Sequence, residues 1–175
     1  SPSRKCSAWR GGSGWLTGRR WATGRAESRV GGLESFKTTV KAKGLSILSD
    51  MPREGGGEES GPSPKDLAMA ALCACTSMTI QTFARGLVRT GKLEEGALSA
   101  VHVVAQDNTK VGQHMPESVD VGITLIGDTE ALSPKVVRLL HTAASKCPVR
   151  RMLEGQMGGG ISEVMRVGKS GEVDG

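Results

Sequence analysis

Two cysteines set the chemical possibilities of this 175-residue chain. Cys75 lies within a long run of small and apolar residues, and Cys147 stands directly before Pro148. A thiol attacks peroxides only as its thiolate, which a cation or a helix N-terminus must stabilise and the substrate must reach. The sulfenic acid it forms is recoverable when a second thiol is near enough to condense with it. Two cysteines remote in sequence, each on a buried helical face, meet that requirement. They also suit a blander role, because a buried free cysteine usually packs as a small hydrophobe. The residue pattern leaves both readings open. Of the other two cysteines, Cys73 is two residues from Cys75, roughly 200° around a helix, and is expected to pack on a different face. Cys6 is read as incidental. Four cysteines without a dense, even framework fit free thiols in a reducing compartment better than a disulfide scaffold.

The elements that must position these thiols follow from periodicity and punctuation. Ser63-Pro64-Lys65-Asp66 is a helix start: Ser63 caps, Pro64 suits the first turn and Asp66 completes a capping box. The helix is expected to run to about Arg89, with Gly91 beyond. It is apolar or small almost all the way round from Leu67 to Ile80, so it should be enclosed on every side, which calls for a second subunit. Ser133-Pro134 opens a second helix, on which Val136, Leu140, Ala143 and Cys147 share one face, and Pro148 is expected to end it. Phe36–Lys43 alternates as a half-buried strand, Gly44 turns the chain and Leu45–Leu48 returns. Leu98–Ala105, Ser118–Ile126 and Ile161–Val167 read as further strands, and residues 50–62 as a mobile loop. The order is that of an α+β fold with antiparallel pairing rather than alternating βαβ units.

Charge separates the chain into parts. Residues 1–30 hold seven basic residues and one acid, whereas the remainder carries 16 basic and 17 acidic groups. Trp9, Trp15 and Trp21 all lie in the basic part. Residues 1–33 are therefore read as an arm, 34–167 as the domain and 168–175 as a tail. Residues 1–26 contain no acid and are rich in Arg, Ser and Gly, the composition of an organelle-targeting segment. A mitochondrial matrix protein is expected, with the cytoplasm as the alternative. Such an arm can track phosphates and stack on bases or wrap a protein neighbour. No window approaches 18 consecutive apolar residues, so no membrane span is expected. His102, His114 and His141 lack metal-ligand spacing with the cysteines, and Gly158-Gly159-Gly160 lacks the strand-then-helix context of a phosphate loop. Neither a metal nor a cofactor is expected.

Several motifs in order resemble one family. Gly61-Pro62-Ser63-Pro64-Lys65-Asp66-Leu67 is followed by Ala70-Ala71-Leu72-Cys73-Ala74-Cys75-Thr76-Ser77-Met78-Thr79, and later by Cys147-Pro148-Val149. Together with Ser49-Asp50-Met51-Pro52 and Gly55-Gly56-Gly57, they resemble the OsmC/Ohr proteins over about residues 34–167. The resemblance implies an antiparallel sheet wrapped around long central helices in an intertwined homodimer or paralogous dimer. It also implies thiol-dependent reduction of organic hydroperoxides, with an external dithiol as reductant. By position Cys75 would be peroxidatic and Cys147 resolving, Arg53 would supply the thiolate's cation and Asp66 would orient that arginine. The chain departs from the pattern at Asp66, where the acid is usually Glu, at Cys73, usually Gly, and at Arg150-Arg151, where His often follows Cys-Pro-Val. The alternative is a structural subunit of a large mitochondrial assembly, a mitoribosome or respiratory complex, anchored by residues 1–30.

Overall fold

The computed structural model describes residues 26–31, 33–110, 112–155 and 161–168. The arm with Cys6 and the three tryptophans, the Gly158–Gly160 run and residues 169–175 lie outside the described residues, and so do the readings placed on them. Ten residues order the second of two three-stranded sheets and the helices packed on it around Cys75 and Cys147: Leu72, Ile80, Leu87, Val119, Val121, Ile123, Leu125, Val136, Leu140 and Ala144 form the middle of the buried core. Burying each large side chain among them contributes about 2 kcal/mol.

The first sheet is an antiparallel meander of β1 (Ala26–Val30), β2 (Thr38–Ala42) and β3 (Leu45–Ser49). β1 falls inside the stretch read as arm; its mostly polar residues are exposed on both faces, so no alternation marks it. Lys43 and Gly44 both have positive φ, the two-residue turn that matches strand twist.

The loop read as mobile is instead organised by one buried carboxylate. Asp50 accepts hydrogen bonds from the amides of Met51, Glu58 and Ser60 and from the Ser60 hydroxyl, at 2.7 to 3.1 Å. A Cβ at Gly57 would run into the Met51 carbonyl, and one at Gly61 into that of Leu48, so these glycines permit the tight return. The donors, Ser60 first, hold the Asp50 carboxyl down at about 2. A lowered folded-state pKa contributes stability that is present above the ordinary value and lost as pH falls through the folded one. The Glu58 and Ser60 amides should therefore lose protection as pH drops from about 3.8 to about 2. In Asp50→Asn they should exchange fast at every pH, as hydrogen exchange would record. Equal protection in both proteins would remove Asp50 as the organiser.

Beyond this loop, α1 (Pro64–Arg89) begins with the capping box read from sequence: the Asp66 amide donates to Ser63 Oγ and the Ser63 amide to the Asp66 carboxylate. Its buried residues Leu72, Thr76, Ile80, Ala84 and Leu87 form one stripe, which faces the second sheet and the following helices. The other faces are not enclosed within one chain; Met78 is 63% exposed. By length and mean hydropathy, 1.5 over 18 residues, this helix could cross a membrane, although Thr, Ser and Gln punctuate it and leave no unbroken apolar run of that length. Its packed stripe makes it the central helix of a folded domain.

The second sheet has the order β4 (Leu98–Asp107), β5 (Val119–Gly127), β6 (Ile161–Gly168). β4 and β5 are antiparallel, but β5 and β6 are parallel, unlike the wholly antiparallel pairing expected. The reason is the connection: α2 (Pro134–Ala144) and α3 (Pro148–Glu154) form a helical crossover, as parallel neighbours require. The second helix also stops earlier than expected. Cys147 is the N-cap of α3, and Pro148 starts that helix as its first residue rather than merely ending its predecessor. Val136, Leu140, Ala143 and Cys147 are nonetheless all buried, as their spacing indicates.

Candidate active site

Cys75 is carried by the middle of α1 and Cys147 by the turn from α2 into α3. That turn is set by the Cys147 amide, which donates to the Ala144 carbonyl at 3.0 Å, and by the Arg151 amide, which donates to the Cys147 carbonyl at 3.1 Å. Cys147 is fully buried in the core, and Cys75 packs at its margin, half-buried. The two thiols are neighbours, close enough for Cys147 to act on the ionisation of Cys75. Both are free. A disulfide asks for Cα atoms about 4.4 to 6.8 Å apart, and neighbouring side chains on two packed elements are where such a bond can form.

The surroundings of Cys75 oppose its ionisation overall. Burial pushes its thiol above the ordinary value, and the neighbouring Cys147 adds to the rise. The Val149 amide, in the first turn of α3, and the Thr79 hydroxyl pull the other way without cancelling it. Val149 and Thr79 belong to the motifs around the two cysteines, but nothing in their spacing announces that both neighbour Cys75; the Thr79 hydroxyl donates to the Cys75 carbonyl at 2.7 Å. Cys73 takes another side of α1, where the Ala105 amide of β4 faces it and burial raises its thiol. It stays apart from the pair, as its helical offset requires.

Arg53 and Asp66 are not brought to Cys75 within one chain. Arg53 lies in a short 3-10 turn (Arg53–Gly55), 75% exposed, with its Nε 3.2 Å from Glu59. The Asp66 carboxylate is engaged by Ser63 at the start of α1, and its pKa is lowered by those Ser63 contacts. Within one chain it orients the helix start.

Residues 56–157, the span that contains both cysteines and the helices that carry them, match the family described as OsmC-like protein. The chain belongs to the OsmC-like protein family. Solved structures agree on the fold. An organic hydroperoxide resistance protein OsmC from Legionella pneumophila is 20% identical, with a TM-score of 0.58, covering 85% of this chain and 98% of its own. An organic hydroperoxide resistance protein from Elizabethkingia anophelis is 18% identical, with a TM-score of 0.58, covering 87% and 99%. An OsmC-like protein from Mycoplasma pneumoniae is 11% identical, with a TM-score of 0.58, covering 86% and 98%. No curated protein matches the sequence. The OsmC-like domain therefore has an α+β fold shared with hydroperoxide resistance proteins, and its cysteine pair sits where two helices meet the sheet.

Proposed function

We propose that this OsmC-like protein is a thiol peroxidase that reduces organic hydroperoxides through Cys75 and Cys147. The observation that carries the reading is that the buried Cys147 on the α2–α3 turn is a close neighbour of Cys75 on α1. The Cys75 thiolate attacks the terminal oxygen of the hydroperoxide. The S–O bond forms as the O–O bond breaks, and the alkoxide leaves and takes a proton as the alcohol. Cys147 then attacks the Cys75 sulfur; the S–S bond forms, and hydroxide leaves and takes a proton as water. An external dithiol returns the disulfide to two thiols by exchange. Met69, Val149 and Leu153 pack against the same apolar core as Cys75, surroundings that favour alkyl or lipid hydroperoxides over hydrogen peroxide.

The cation this chemistry needs is assigned to Arg53 of a second copy, which its exposure leaves available. A second copy is also what the open surfaces of one chain call for. The meander exposes Val30, Phe36, Leu45, Ile47 and Leu48, α1 exposes Met78 and Phe83, and neither surface covers the other. The decisive experiment is turnover of cumene hydroperoxide with a dithiol reductant. The native protein should turn over and Cys75→Ser should lose all protein-dependent rate. Equal rates in both, or none in the native dimer, would remove the peroxidase reading.

A further inference from the structure

The turn that carries Cys147 is flanked by two residues that face one buried carboxylate, Arg150 bonded to it and His141 within reach. Glu163 of β6 has a side chain only 4% exposed. Its Oε2 lies 2.6 Å from Arg150 Nη1 on α3, three residues after Cys147. Its Oε1 lies 3.0 Å from His141 Nε2 on α2, six residues before Cys147. Arg150, itself 12% exposed, also donates from Nε to Glu154 at 2.9 Å. β6 is fixed in turn by its parallel register with central β5, where Glu163 stands opposite Val121.

We infer that Glu163 is a positioning residue for the resolving thiol: through Arg150 and His141 it clamps the α2–α3 turn so that Cys147 is held against Cys75. Taking a carboxylate out of water is costly, and burial does push the Glu163 carboxyl up against the opposing pull of Arg150 and His141. A buried ion pair is weak evidence for stability and is often replaceable by apolar groups. Its yield here is geometric. Three elements converge on two oxygens, and the second cysteine lies on the turn between two of them. Glu163 Oε1 forms no hydrogen bond as it stands; the facing His141 Nε2 becomes its donor when that nitrogen is protonated.

The inference rests on the Cys75/Cys147 pair of the proposed function but not on peroxide chemistry, so its test avoids peroxide. The native dimer and its variants are equilibrated in glutathione redox buffers, and the effective molarity of Cys147 toward Cys75 is read from the fraction of disulfide. Loosening a positioned group by an ångström can forfeit one to two powers of ten. Glu163→Gln and Arg150→Met should each lower the effective molarity about tenfold, a shift of about 30 mV for a two-electron couple. Arg150→Lys, which keeps the charge beside Glu163, should retain most of it. A merely structural role would lower the melting temperature in all three and leave the effective molarity of the folded protein alone. Should Glu163→Gln not fold, His141→Gln decides the matter from the half-exposed side of the clamp, with an expected loss of about threefold. Native effective molarity in the folded Glu163→Gln protein, or in His141→Gln where Glu163→Gln does not fold, overturns the inference. Should peroxide turnover fail while the effective molarity behaves as expected, the proposed activity falls and the clamp stands.

Discussion

Cys147→Ala should turn a catalyst into a reagent that is consumed. With Cys75 intact, the first equivalent of organic hydroperoxide should still oxidise it, and dimedone should label one sulfenic acid per chain. What disappears is the intramolecular trap. Groups held together react as though at effective concentrations far above any added thiol, so steady-state turnover with a dithiol should fall on the order of 100-fold or more. The unprotected sulfenic acid should then be driven by excess peroxide to the irreversible sulfinic acid, which mass spectrometry would record as two added oxygens on the peptide of Cys75. The substitution has a second consequence with a definite sign. Cys147 is one of the groups that raise the Cys75 thiol, so its removal should lower the pH at which the oxidation step accelerates. Burial remains the larger cause, and the shift should be in the direction of acid without reaching the range of an exposed, cation-paired thiolate. Sustained turnover at the native rate in Cys147→Ala would show that resolution does not pass through Cys147.

That prediction depends on a meeting of residues 72 positions apart, and the sequence disclosed it unevenly. The faces were legible: Val136, Leu140, Ala143 and Cys147 recur at helical spacing and are all buried. The capping box of Ser63 and Asp66 was legible too, because both partners are local. The motifs named the family, and the family named the pair. The start of α3 at Pro148 was not legible, since a proline ends one helix and begins another with the same residue. Nor was the parallel seating of β6 on β5, because a strand's own residues do not encode its neighbour's direction. From that omission follows another: Glu163, Arg150 and His141 sit on three separate elements, and only the crossover brings them together. The Asp50 hub escaped for a related reason, as a run rich in Gly and Glu looks solvent-loving until one acid turns inward to gather its amides.

Met78→Asp should separate the subunits. One chain leaves two apolar surfaces uncovered, the outer side of α1 and the faces of the β1–β3 meander, and among the described residues the meander has no extensive packing on the helices or the second sheet. Between α1 and the edge of β4 lies a groove of about 340 Å³ lined by Ser77, Met78, Gln81 and Leu98–Val101. An isologous pair lets each meander cover its partner and brings the two long helices together, so every open surface is met twice by the same operation. An aspartate at Met78 would place an uncompensated carboxylate in that dry contact, once per subunit. Each unpaired buried charge costs about 3 kcal/mol or more, so the dimer dissociation constant should rise by at least about 1,000-fold. Sedimentation should show a native dimer at micromolar concentration and a Met78→Asp monomer, with lower thermal stability because α1 is left uncovered. The alternative that the apolar length of α1 permits is a bilayer. It predicts a different outcome, a native protein that leaves the membrane fraction only with detergent and sediments as a monomer within its micelle. A native dimer in plain buffer that Met78→Asp leaves intact would place the interface elsewhere on the chain and withdraw the second copy as the source of Arg53.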